Sequence, residues 1–120
     1  MADGPGIIQY LEAGLRATGL RSQVISSNLA NLSTRGFERS EVRFEDLLAR
    51  AIEGGSPADL GRIRPEVFQP HTTPVNDAGN DVDLDLEVGE LVKNSAMSKV
   101  YLRTLAKMYS QMELAMKDQV

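Results

Sequence analysis

LDLEVGELVKNSAMSKVYLRTLAKMYSQMELAM, residues 84–116, is the stretch whose reading decides the fold. From Leu84, the positions Val88, Leu91, Ser95, Ser98, Leu102, Leu105, Tyr109, Met112 and Met116 follow alternating steps of four and three. All of them except the two serines are apolar. A seam kept up over roughly four heptads is a coiled-coil signal. Val92, Val100, Tyr101, Ala106, Met108 and Leu114 lie off that seam. A helix apolar on so many faces is buried by more than one neighbour.

The other end of the chain carries a matching run. Ile8, Leu11, Leu15, Thr18, Ser22, Ile25, Leu29 and Leu32 repeat the same spacing, with no proline between Ile7 and Ser33. The spacing predicts a helix over about residues 7–32. Gly14 and Gly19 each cost that helix about 1 kcal/mol relative to alanine, so tertiary support or the close approach of another backbone is expected there. Gly36 ends the segment, with Ser33 and Thr34 as turn formers.

Between the helices, residues 37–44 alternate loosely and suit an extended strand. Phe44, Leu47, Leu48, Ala51 and Ile52 then mark a short amphipathic helix near 44–53, stopped by Gly54-Gly55-Ser56-Pro57. Residues 54–83 hold every proline but Pro5 and no sustained period, which predicts an irregular connector. Asp83 is the expected N-cap of the last helix, with Asp85 and Glu87 on its first turn. The chain therefore divides into a helix and turn (1–36), a connector (37–83) and a second long helix (84–120).

At 120 residues the chain forms one domain at most. Its apolar fraction of 42%, with three Phe, three Tyr and no Trp, suits aliphatic packing between helices. A net charge of −4 offers no general attraction for nucleic acid. No apolar run is long enough to span a membrane, the N-terminus predicts no cleaved secretory signal, and the absence of cysteine removes disulfides and thiolate metal sites.

Candidate chemistry is thin. The acidic run Asp77, Asp81, Asp83, Asp85, Glu87 opens like a calcium loop, but Leu86 and Val92 occupy the positions that need Gly and a bidentate Glu. Helix capping explains it better. His71, the only histidine, has no orienting partner or nucleophile in the pattern. With no phosphate loop and no metal-ligand spacing, no enzyme and no cofactor are expected. Met97, Met108, Met112 and Met116 suit either a packed core or an adaptable binding surface, and both hold for a helix buried on assembly.

Val24-Ile-Ser-Ser-Asn28-Leu-Ala-Asn31-Leu-Ser-Thr34-Arg-Gly36-Phe37 resembles the N-terminal signature of bacterial flagellar basal-body rod and hook proteins. The signature residues are Asn28, Asn31, Thr34, Gly36 and Phe37. Arg35 stands where that family often has Pro, and Phe37 where it often has Tyr. The tail from Gly79, with Asn94-Ser95, is most similar to the proximal-rod members. On residues alone, Asn28 and Asn31 are placed to bond free carbonyls at a helix terminus or a neighbouring subunit.

The resemblance implies a mainly α fold, in which the terminal helices form an antiparallel coiled-coil pair around an irregular middle with one short helix. It implies a structural subunit of the periplasm-spanning rod in the flagellar basal body, exported through the flagellar type III apparatus. The subunits would polymerise through their terminal helices into a torque-transmitting shaft. Expected partners are further copies, other rod proteins, the adaptor FliE and the MS ring. The seam residues Ile8, Leu11, Leu15, Ile25, Leu29, Leu32, Leu84, Val88, Leu91, Leu102, Leu105, Tyr109, Met112 and Met116 would carry packing and assembly, with Val100 and Met108 as off-seam subunit contacts. A small coiled-coil adaptor or export chaperone, binding a client helix without polymerising, is the rival reading.

An antiparallel pair that matches the weak layers, Thr18 and Ser22 against Ser95 and Ser98, sets Ile8 by Tyr109, Leu11 by Leu105, Leu15 by Leu102, Ile25 by Leu91, Leu29 by Val88 and Leu32 by Leu84.

Overall fold

A computed structural model describes residues 3–54 and 62–118. Helix α1 runs Asp3–Ala30 and helix α3 runs Leu84–Lys117. Between them lie strand β1 (Glu41–Arg43), helix α2 (Glu45–Glu53) and strand β2 (Glu66–Phe68). The expected helices are present, with α1 starting earlier and ending two residues sooner than the spacing predicts. Residues 55–57 of the expected stop after α2 lie outside the described residues, and α2 ends at Glu53 with Gly54 as its cap.

The connector is more ordered than its prolines suggest. β1 and β2 pair antiparallel, with Val42 opposite Val67, and the Arg43 guanidinium sits 4.1 Å above the Phe68 ring. β1 falls within residues 37–44, where the alternation predicts an extended strand, whereas β2, 25 residues further on, is too short for its alternation to be seen in sequence.

α1 and α3 run antiparallel, since Asn28 meets Glu87, Thr18 meets Asn94, and Leu11 clusters with Tyr101 and Leu105. α1 buries two faces. Ala13 and Ala17 lie under Phe44 and Leu48 of the α2 layer, and Leu11 packs with Tyr101 and Leu105 of α3. Tyr10 contributes to both clusters, and its ring stands edge-on to Tyr101 at 6.2 Å. The small side chains of Ala13 and Ala17 let α2 approach. Gly14 admits Tyr101, because a Cβ there would lie 2.5 Å from the ring. The result is an elongated body of 67 × 28 × 15 Å.

The face of α3 turned to α1 differs from the expected seam. Glu87, Asn94, Tyr101 and Leu105 are buried, and Leu91, Ser98 and Met108 half-buried. These seven also follow steps of four and three. They share Leu91, Ser98 and Leu105 with the expected row, but take Glu87 for Val88, Asn94 for Ser95, Tyr101 for Leu102 and Met108 for Tyr109. Since half the row is shared, the seam is rotated by about 50°, half the step between successive helical residues. Axially, the expectation stands close: Asn28 with Glu87 replaces Leu29 with Val88, and Leu11 keeps Leu105. The polar residues Glu87 and Asn94 carry the true row inward because each finds buried hydrogen-bond partners on α1.

Candidate assembly site

Two features remain once the fold is drawn: a buried polar clasp at one end of the molecule, and an uncovered apolar row along α3.

The clasp begins where α1 runs out. There Asn31 donates twice to the Ser27 carbonyl, from its backbone N–H at 3.1 Å and from Nδ2 at 2.8 Å. Its Oδ1 accepts from the Thr34 hydroxyl at 3.0 Å. Gly36 then adopts φ +76°, a left-handed conformation that suits glycine, and its N–H donates to the Ala78 carbonyl. Gly79, also at φ +76°, lies against it, so a Cβ on Gly79 would stand 3.5 Å from the Gly36 Cα. Asn80, almost fully buried, donates from Nδ2 to the carbonyls of Asn31 and Thr34 at 2.8 and 2.9 Å. Asn76 shapes the returning turn by accepting from the N–H groups of Ala78 and Asn80.

Charge is buried beside this turn. Asn28, 0% exposed, donates from Nδ2 to the Ser40 carbonyl and to Glu87 Oε1, both at 2.9 Å, while its Oδ1 accepts from the Ser40 N–H. Glu87 is also 0% exposed, and its Oε2 accepts from Arg39 Nε at 2.6 Å. Arg39 bonds Glu41 through Nη1, and its backbone N–H donates to Asp81 Oδ1. Burial pulls the Arg39 guanidinium down, but the hydrogen bonds and charges of Glu87 and Glu41 outweigh it and hold the group above its ordinary value. Asp83 caps α3 as expected, accepting from the Leu86 N–H at 3.2 Å.

Of the signature residues, Asn28, Asn31, Thr34 and Gly36 are thus brought together, and Phe37 is half-buried beside them. Arg39, Asn80, Asp81 and Glu87 belong to the same clasp and were not singled out from sequence as its members. For Asn80, Asp81 and Glu87 the signal was present in Gly79–Glu87, read there as capping and as part of the rod-like tail, whereas nothing in the pattern marked Arg39. The clasp ties the start of α3 to the end of α1 and offers no reactive centre. Among the described residues no His, Cys, Asp and Glu group could hold a metal, and His71 is exposed, at φ 54°.

The second feature is the row left over by the rotated seam. Leu84, Val88, Leu102, Tyr109, Met112 and Met116 are between 46 and 68% exposed. On α1 and the turn after it the expected residues sit deeper: Leu11 and Ile25 are buried, and Ile8, Leu15, Leu29 and Leu32 half-buried. Val100 is exposed, whereas Met108 packs on the Leu11–Tyr101–Leu105 cluster inside the subunit. Residues 109–117 are all exposed. A row of this kind, on a helix whose neighbouring face packs on α1 only as far as Met108, marks an interaction surface. Among the described residues no helix is long and apolar enough to cross a membrane.

On the other flank of α3 a cleft of about 430 Å³ opens against α1 and β1. Arg21 forks onto both oxygens of Glu45 at 3.1 and 2.9 Å and also donates to the Val42 carbonyl. Burial would raise the Glu45 carboxyl, but the Arg21 bonds and charge hold it below its usual range.

No protein-family model matches the chain. Over 98% of its length it is 28% identical to the flagellar basal body rod protein FlgB of Borreliella burgdorferi, covering all of that protein. It is 27% identical to the protein of the same description from Borrelia hermsii, over 86% of the chain and 90% of that relative. A shorter likeness, 42% over 59 residues, reaches the flagellar basal-body rod protein FlgG of Buchnera aphidicola and covers 23% of it.

Proposed function

We propose that this chain, similar over 98% and 86% of its length to two flagellar basal body rod proteins FlgB, is a structural component of the flagellar basal-body rod. In this reading it works mechanically and not as a catalyst. Subunits pack through their terminal helices into a helical shaft that transmits torque. The observation that carries the reading is the uncovered apolar row of α3, on a helix already held rigidly to α1 by its other side. A repeating contact between unlike surfaces builds an open helical array, and a row free along the length of α3 suits one. Other rod proteins, FliE, the MS ring and the type III export apparatus are the partners this reading names.

A client-binding adaptor or chaperone would use the same row without polymerising. The test is whether tagged chain is recovered in intact basal bodies after detergent extraction. Recovery there at stoichiometric level is expected, and a chain found only in the soluble fraction overturns the rod reading in favour of the adaptor. Val100→Asp, at a site exposed in the subunit, should leave the fold intact and abolish recovery.

A further inference from the structure

We infer that the uncovered face of α3 docks on the same face of a second copy of this chain, pairing two free subunits about a two-fold axis as an antiparallel four-helix bundle. The inference goes beyond the rod reading, because it concerns the free chain and stands or falls without a rod.

The row on α3 mirrors itself. Leu84 and Tyr109, Leu91 and Leu102, and Ser95 and Ser98 stand at equal distances on either side of the point between Ala96 and Met97. Turned end for end, the row lays apolar residues on apolar ones and serine on serine. A slide of one heptad would set the serine hydroxyls against leucines, which is unfavourable unless they bond back to their own helix. Val88, Ser95 and Leu102 each follow a buried residue, Glu87, Asn94 and Tyr101, by one step, so the row lies about 100° round α3 from its α1 side. That is the corner at which a second helix pair stacks on the first.

α1 carries the other half of the contact. Ile8, Leu15, Ser22 and Leu29 recur every seven residues, half-buried, on the flank away from the cleft, β1 and α2. They mirror one another about the point between Thr18 and Gly19. Within the subunit Gly14 faces Tyr101 and Asn28 bonds Glu87. That register sets the point between Thr18 and Gly19 level with the point between Ala96 and Met97, so one axis serves both helices. Gly19 stands at the axis, exposed, with nothing within 4 Å of where a Cβ would lie. Its own subunit leaves that space open, and the bare backbone lets the two copies of α1 pass close together.

Charge and size agree with this occupant. Asp85 and Lys107 are exposed and make no hydrogen bond or ion pair among the described residues. Their spacing puts them about 40° apart round α3, on one flank of the row, so the axis brings each Asp85 level with Lys107 of the other copy. From Leu84 to Tyr109 the contact runs about 38 Å and is two helices, about 20 Å, wide. Its area is near the roughly 800 Å² that each partner gives to a stable complex. A two-fold contact closes on itself, so the pair does not polymerise and keeps the row covered until the copies part.

The chain has no cysteine, so introduced thiols report the contact without background. The purified full chain would be prepared as Leu84→Cys and as Tyr109→Cys, both at exposed sites. Oxidised together, the two variants should form a disulfide-linked pair. Neither should do so alone, since like residues lie about 38 Å apart across the axis. Light scattering should show the unmodified chain passing from monomer to dimer as its concentration rises. Gly19→Leu should raise the dimer Kd by about tenfold or more through overpacking at the axis, with circular dichroism reporting that the helices remain. Lys107→Glu should also weaken the dimer, and Asp85→Lys in the same chain should restore it. A folded chain that stays monomeric at every concentration that keeps it soluble overturns the inference. So does a cross-link formed by either variant alone as readily as by the mixture, or a dimer indifferent to Gly19→Leu or Lys107→Glu. A loss under Lys107→Glu that Asp85→Lys fails to restore overturns it too. None of these outcomes touches recovery of the chain in basal bodies, which decides the rod reading separately.

Discussion

Gly14→Ala and Gly19→Ala are the same substitution on the same helix, and the structure gives them opposite signs. Each replaces a mid-helix glycine by alanine, and intrinsic propensity alone makes that worth about 1 kcal/mol of stability. At Gly19 nothing lies within 4 Å of the added methyl, so the full gain should appear. At Gly14 the methyl would sit 2.5 Å from Cε1 and Cζ of Tyr101 and 2.9 Å from Cε2. Carbon atoms in contact prefer about 3.5–4.0 Å, so the ring would have to withdraw by about 1 Å. That ring is wedged against Tyr10, Leu11 and Leu105 and has no free end to move. Overpacking of this kind costs about 1–3 kcal/mol. Because the propensity gain is common to both variants, their difference isolates the close contact at about 1–3 kcal/mol. Urea unfolding followed by circular dichroism on dilute protein measures it. Tyr101→Ala in the Gly14→Ala background should remove the clash, so that the two changes together are markedly non-additive. If Gly14→Ala stabilises as much as Gly19→Ala, then Tyr101 does not occupy the Gly14 notch and the α1–α3 seam drawn here is wrong.

Three further outcomes follow from the clasp, the tyrosine pair and the overhanging helix. Glu87→Ala should destabilise the fold by about 3–5 kcal/mol because it strands the buried Arg39 charge, while Glu87→Leu combined with Arg39→Met should recover most of that loss in the same urea assay. Burial, with help from Tyr10, pushes the Tyr101 phenol from its ordinary value up to about 12. The unfolded chain therefore ionises first, and stability present below about pH 10 should be lost as pH rises toward about 12. Tyr101→Phe should show a smaller alkaline loss, and an identical one refutes the assignment. In dilute protein, amide exchange should be fast over residues 109–117, which are exposed throughout, and slow over Asn94–Leu105. Protection of 109–117 should appear on assembly, and full protection without neighbours counts against it.

Periodicity made the two long helices legible, because a 3.6-residue repeat over about 30 residues leaves few alternatives. Turn chemistry made Gly36 legible, and capping chemistry made Asp83 legible. The signature asparagines were found by resemblance, and the structure supplies their bonds. What periodicity could not choose was the rotation of α3, since two overlapping rows share Leu91, Ser98 and Leu105. Counting apolar side chains favours the row with Val88 and Leu102. The fold instead buries the row with Glu87 and Asn94.

The sequence by itself thus determined the two long helices, the short helix between them and the Asp83 cap, all of which depend on residues near one another along the chain. Only the tertiary structure decided which side of α3 faces inward. That choice rests on partners far apart in sequence: Glu87 with Asn28 and Arg39, Asn94 with Thr18, and Tyr101 with the bare backbone of Gly14. A buried carboxylate or amide is favourable only where those distant groups converge to satisfy it. The same choice leaves the more apolar row of α3 outside, where it is available to a neighbour.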